Sequence, residues 1–164
     1  MAERTIPRIP LATYRLQFRD GMTFDRAIGL IPHWKSLGIS HLYASPVFAA
    51  VSGSTHGYDV TDPNMLEPAL GGIDAFRRLS DRLLAAGLGL ILDIVPNHMA
   101  ASLENPHWKS ALKWGRRSPS AAMFDNDWDR TLTLPVLTGP LAEEVEAGHG
   151  RLVWSGAARE LAFD

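Results

Sequence analysis

Over Thr13–Phe18 (TYRLQF) polar and apolar positions alternate, the period-two pattern of a half-buried strand, and Arg19-Asp20-Gly21 stops it. The period then changes. Ala27, Ile31 and Trp34 recur at helical spacing with Leu30 and Leu37 beside them, behind Thr23, a residue suited to cap a helix. Pro32 lies inside this pattern and predicts a kink or two short pieces; Gly38 closes it. Ile39–Tyr43 reads as a short strand ending before Ser45-Pro46. From Val47 to Gly72 the chain is rich in Gly, Pro, Ser and Asp, and no period holds. A loop of this size inside a compact domain tends to carry function. A clear amphipathic helix follows, with Asp74 at its start, Phe76, Leu79, Leu83 and Ala86 on one stripe, and Gly87 at its end. Leu88–Val95 (LGLILDIV) is almost continuously apolar, as in a strand buried on both faces of a parallel sheet. Helices between successive strands predict βαβ units, with the strands at 13–18, 39–44 and 88–95 parallel and adjacent in that order.

Beyond His98 the texture changes. Ala101–Ser120 is helical in part, with two prolines and a basic Gly115-Arg116-Arg117, and Phe124–Asp129 is acidic and aromatic. Leu132–Leu137 reads as a strand, Leu141–Ala147 as a short helix, and Arg151–Ser155 with Glu160–Phe163 as a hairpin.

Composition narrows the classes of function. The chain has 164 residues, 46% of them hydrophobic, with a net charge of −2 and no cysteine. Disulfides, thiolate metal sites and cysteine nucleophiles are excluded. Without a basic cluster there is no electrostatic footprint for nucleic acid. No apolar run approaches the ~20 residues needed to span a bilayer, and Met1-Ala2-Glu3-Arg4 lacks the apolar stretch of a secretory signal. The expectation is a cytoplasmic location, with neither nucleic acid nor membrane as partner.

Several familiar signatures fail. Gly87-Leu88-Gly89 has Leu92 where a dinucleotide fingerprint needs glycine, and Gly53-Ser54-Thr55-His56-Gly57 puts threonine at the centre of an elbow-like pattern. Asp125–Asp129 starts like a calcium loop but continues with Arg130 and Val136 where Gly and Glu are required. The histidines lack metal-ligand spacing, so neither metal nor cofactor is expected.

Two places carry chemistry. Asp93 lies in an apolar strand, where an unpaired carboxylate is costly to bury, so it needs a cation, hydrogen-bond donors or the strand's open end. Asn97 and His98 follow closely and surround the same end, which is the active face of a parallel α/β barrel. A structural Asp–Arg pair with a capping Asn fits the same residues. His56-Gly57-Tyr58-Asp59 lies in the long loop after the preceding strand and overhangs that face. Tyr offers a flat ring, and Asp and His offer directional hydrogen bonds. A turn with a packed Tyr and an Asp capping backbone amides is the other reading.

Asp93-Ile94-Val95-Pro96-Asn97-His98 resembles the first signature region of the α-amylase superfamily, at the end of the third barrel strand. Thr13-Tyr14-Arg15-Leu16-Gln17, His41-Leu42-Tyr43-Ala44-Ser45-Pro46, Ser52–Val60 and Phe124–Asp129 narrow the resemblance to the maltooligosyltrehalose synthases within it. Such enzymes convert the reducing-end α-1,4 linkage of a maltooligosaccharide to an α,α-1,1 linkage. The resemblance implies a partial (β/α)8 TIM barrel: its first three strands in 1–99, and in 100–164 the start of the subdomain inserted after the third. It implies a maltooligosaccharide as partner and His56, Tyr58, Asp59, Asp93, Asn97 and His98 as substrate-binding residues. Tyr58 would stack on the sugar beside the scissile bond, His98 would bond the same ring, and Asp93 would support an arginine near the nucleophile. His56 and Asp59 would shape the loop. Asn97 matches a calcium ligand of many amylases, and is read as structural because the synthases do not depend on calcium. A complete barrel needs ~250 residues, and no position before 164 matches the family's nucleophile or general acid. The expectation is the N-terminal part of an enzyme, inactive alone. A sibling α-glucan hydrolase or transglycosylase, or a non-catalytic carbohydrate-binding module, are the alternatives.

Overall fold

The computed structural model describes residues 9–130, 132, 139–148, 150–155 and 158–163. The chain forms two compact units, Met1–Phe124 and Asp125–Asp164.

The first unit is built on three parallel strands, β1 (Thr13–Leu16), β2 (His41–Ala44) and β5 (Gly89–Leu92), adjacent in the order β1-β2-β5. Thr13 pairs with His41, which pairs with Gly89, and the register runs without a shift to Leu16, Ala44 and Leu92. The expected order and direction are both present. Because side chains alternate along a strand, this register sorts the sheet into two faces. Leu16, Leu42 and Ala44 are buried in the hydrophobic core, and Tyr14, Leu90 and Leu92 pack against it half-buried. Arg15, Tyr43 and Ile91 form a row at the alternate positions.

Between β1 and β2 the helix breaks at the proline, as expected. The pieces are α1 (Phe24–Ile28) and α2 (Ile31–Ser36), with Pro32 in the first turn of α2, where its missing N–H costs nothing. Thr23 caps α1, its hydroxyl accepting from Arg26 N at 3.2 Å. Ala27, Ile31 and Trp34 are buried as the spacing requires, and Leu37 is exposed. Helix α3 (Gly72–Ala85) buries Ala75, Leu79 and Leu83. Phe24 packs against Phe18 in a tilted pair and edge to face against Phe76, with ring centroids 5.2 and 5.4 Å apart.

Two expectations are corrected. The 47–72 stretch is not simply a loop: β3 (Phe48–Ala50) and β4 (Val60–Leu66) pair antiparallel across it, with two register shifts. The third parallel strand is shorter than Leu88–Val95 and only half-buried. The reason is pairing: among the described residues β5 hydrogen-bonds β2 alone, and past Asp93 the chain leaves the ladder, exposing Ile94. Gly89 has a specific cause. A Cβ there would collide with the ring of His41 on the neighbouring strand, and His41 is buried.

Helix α4 (Pro106–Trp114) follows, its N-terminus capped by the buried Asn105, whose Oδ1 accepts from His107 N at 3.0 Å and Trp108 N at 3.2 Å. In the second unit, α5 (Leu141–Glu146) is the expected short helix. Strands β6 (Gly150–Ser155) and β7 (Ala158–Phe163) form the expected hairpin, paired from Gly150↔Phe163 to Ser155↔Ala158. Most of the strand expected at Leu132–Leu137 lies outside the described residues.

Candidate functional site

The C-terminal ends of the three parallel strands bring four side chains to one point. Arg15 leaves β1, Tyr43 leaves β2, Asp93 follows β5, and Tyr58 arrives from the loop between β3 and β4. Asp93 is held because its backbone N–H donates to Ala44 O at 2.9 Å, extending the ladder one residue beyond Leu92. Two residues after Ile91, it falls on the Arg15–Tyr43 face. Its Oδ2 accepts from the Tyr58 hydroxyl at 2.6 Å and from the Tyr43 hydroxyl at 3.1 Å. Arg15 Nη2 donates to the Tyr58 oxygen at 3.0 Å and lies 3.7 Å from Asp93 Oδ2. The guanidinium also sits 5.6 Å from the Tyr43 ring centre, within cation–π range.

The charge at this point is balanced and partly open, with the Asp93 side chain 16% exposed and that of Arg15 42%. The Tyr58 phenol is pushed above its ordinary range, first because it donates to Asp93, then by burial, with Arg15 opposing. Arg15 is raised in turn, chiefly by its bond to Tyr58. The Tyr58 hydroxyl thus remains a donor, and the carboxylate it meets is engaged rather than free.

The Tyr58 loop is tied down on several sides. Gln17 Nε2 donates to Thr55 O at 3.1 Å and to His56 O at 3.3 Å. Tyr58 N donates to His56 Nδ1 at 3.1 Å, and the two rings stack 5.9 Å apart. Asp59 accepts from the Ser54 hydroxyl and lies 3.6 Å from His56 Nδ1. His56 and Asp59 thus face one another rather than the strand tips.

Asn97 and His98 are placed differently. Both are exposed, and His98 Nδ1 meets Asn97 Oδ1 at 3.2 Å. Among the described residues no hydrogen bond joins either to Tyr58 or Asp93. Sequence reasoning singled out Tyr58 and Asp93 but passed over Arg15 and Tyr43 as site residues. The signal was present: two polar side chains on the face of a parallel pair opposite its apolar positions, at the strand ends. Reading it requires the register that aligns Arg15 with Tyr43. Among the described residues there is no cluster of three or more His, Asp or Glu able to hold a metal.

Comparison with known proteins identifies the family of the chain. The family of the α-amylase catalytic domain matches residues 27–128. A Mycobacterium tuberculosis protein whose name refers to maltooligosyl trehalose synthase is 47% identical over 137 residues, covering 77% of this chain and 18% of its own. A crystal structure of a maltooligosyl trehalose synthase superposes with a TM-score of 0.86 at 38% identity, covering 94% of this chain and 22% of that one. The maltooligosyltrehalose synthase of Arthrobacter ramosus gives 0.81 at 38% identity, covering 94% and 20%. The chain therefore spans about a fifth of the length of the relatives it matches.

Proposed function

Because the chain belongs to the α-amylase catalytic-domain family, we propose that it forms the N-terminal part of a maltooligosyltrehalose synthase, with the strand tips holding the sugar whose linkage is rearranged. In this reading residues 1–99 are the first three strands and helices of a (β/α)8 barrel, and 100–164 begin a subdomain inserted after the third strand. The enzyme is an isomerase acting in the cytoplasm on maltooligosaccharides, with neither nucleic acid nor membrane as partner.

The observation that carries the reading is the bond between Tyr58 and Asp93, 2.6 Å long, at the ends of three parallel strands. Held there, the Tyr58 ring is a flat surface for the C–H face of a glucose ring, while Arg15 and Asp93 supply a donor and an acceptor for its hydroxyls. The paired charges offer a neutral polyol charge-assisted hydrogen bonds without leaving net charge at the site. Asn97 and His98, exposed beside the tip of β5, would close on the sugar's edge when it binds. His56 and Asp59 fix the loop.

Asp93 accepts two hydroxyls and faces a guanidinium, so its role is to position Arg15 and Tyr58 rather than to attack carbon. The isomerisation breaks the reducing-end α-1,4 bond, holds the glycosyl group on the enzyme, and re-forms the bond to the anomeric hydroxyl of the released glucose. That chemistry needs two carboxyl groups about 5–5.5 Å apart. We assign the nucleophile and general acid to residues outside these 164, a reading supported by the greater length of the relatives.

The test compares the 164-residue chain with the product of the whole reading frame that encodes it, using maltopentaose and a reducing-sugar assay. The expected result is no conversion by the short chain. The whole product should remove reducing ends with little free glucose. Turnover by the short chain would overturn the assignment of the carboxylates. Glucose as the main product of the long one would favour a sibling hydrolase.

A further inference from the structure

Three residues past β1 the backbone adopts a conformation that side chains rarely tolerate. Arg19 has φ 149° and Asp20 has φ 47°, both disfavoured for residues with a Cβ. Outliers of this kind persist where the surroundings enforce them, and they cluster at functional sites. Here the turn, closed by Met22 N donating to Arg19 O at 2.8 Å, sends the Arg19 guanidinium inward. Its side chain is 6% exposed, and its partner Glu67 14%. Arg19 Nη1 donates to Glu67 Oε2 at 2.9 Å, and Nη2 donates to Phe48 O at 3.0 Å. Glu67 also accepts from Ala50 N at 3.2 Å and Ala69 N at 3.3 Å, so both ends of the β3–β4 hairpin converge on this pair. A buried ion pair is weak evidence of a stabilising role, since apolar residues would often serve as well.

The remaining edge of the guanidinium shows what it supports. Arg19 Nε is buried without a hydrogen-bond partner, and it abuts Gly57. A Cβ on Gly57 would stand 2.6 Å from Arg19 Nη2, 3.1 Å from Nε and 2.8 Å from Pro46 O. Gly57 also has φ +79°, a left-handed conformation suited to glycine. Its N–H is pinned by Ser54 Oγ at 3.0 Å. The next residue is Tyr58.

We propose that Arg19, neutralised by Glu67, is a positioning residue: its guanidinium is the floor on which Gly57 rests, and the height of that floor sets where Tyr58 meets Asp93. Two arginines from one strand and the turn after it thus address the same loop. Arg15 bonds the Tyr58 hydroxyl, and Arg19 supports the backbone one residue earlier. The functional meaning rests on reading Tyr58 as the sugar platform; the mechanical claim does not.

The test reads Tyr58 directly, by ultraviolet titration of its phenol in the 164-residue chain, assigned by difference against Tyr58→Phe. In the parent chain Tyr58 titrates above the ordinary value of about 10. Gly57→Ala and Arg19→Lys should each bring it back toward that value while circular dichroism retains the native signal. Arg19→Lys keeps a charge opposite Glu67 but removes the planar face, so it reports on the floor even where Gly57→Ala lowers the folded fraction. A Tyr58 titration unchanged in folded Arg19→Lys would overturn the proposal. Maltotriose affinity, measured by calorimetry, should fall about tenfold in the same variants. If the parent binds no maltotriose but the titration moves as expected, the floor stands and the sugar reading fails. Affinity lost without any movement of the titration would sink the floor.

Discussion

Asp93 and His98 lie five positions apart, flanking the same strand end, yet they occupy opposite physical situations. Asp93 is still inside the ladder, its N–H on Ala44 O and its carboxylate holding two tyrosine hydroxyls. Asn97 and His98 have left the sheet, are exposed, and are hydrogen-bonded to each other. The difference shows that pre-organisation here comes from the sheet. A side chain one residue beyond a paired strand inherits the strand's precision. Asn97 and His98, five and six residues beyond it, lack that support and bond one another.

Asp93→Ala should have the largest effect, because it leaves the Tyr43 and Tyr58 hydroxyls without their acceptor and Arg15 without the carboxylate that balances its charge. We expect a loss of about 2–3 kcal/mol in urea-denaturation stability together with loss of maltopentaose binding. Tyr58→Phe removes one hydroxyl and keeps the ring, so a loss of about 1 kcal/mol is expected. The pH dependence gives the same bond a signature. A phenol pKa raised above its unfolded value contributes stability in full below about pH 10, and that contribution disappears as pH climbs through the folded value. The parent should therefore lose stability in this alkaline window more steeply than Tyr58→Phe, and equal slopes would remove the bond. His98→Ala and Asn97→Ala should change stability by less than about 0.5 kcal/mol. A cost above about 1.5 kcal/mol for either would break the contrast. Weakened sugar binding at unchanged stability would sharpen it.

Local signals made much of this legible. Thr23, Pro32 and the Leu79–Leu83 stripe act within a few residues, and the elements formed where they pointed. The β3–β4 hairpin did not announce itself, because Asp62-Pro63-Asn64 interrupts β4 and the pairing shifts register twice. Asp93 could be singled out because a carboxylate in an apolar run is conspicuous. Arg15 and Tyr43 look ordinary in their own strands. Their meeting depends on a register between segments 28 residues apart, since Arg15 aligns with Tyr43. Arg19 was hidden more deeply, since Arg-Asp-Gly reads as a turn, and nothing local shows that the arginine turns inward.

The collision that a Cβ at Gly89 would have with the His41 ring also makes a statement about inheritance. Positions 41 and 89 share a single allotment of space across two strands, so position 89 cannot gain a side chain while histidine stands at 41. Lineages of this family should keep the large-and-glycine combination or trade it for two residues of intermediate size. An alignment in which a bulky residue at 89 coexists freely with histidine at 41 would mean that the strands had moved apart there.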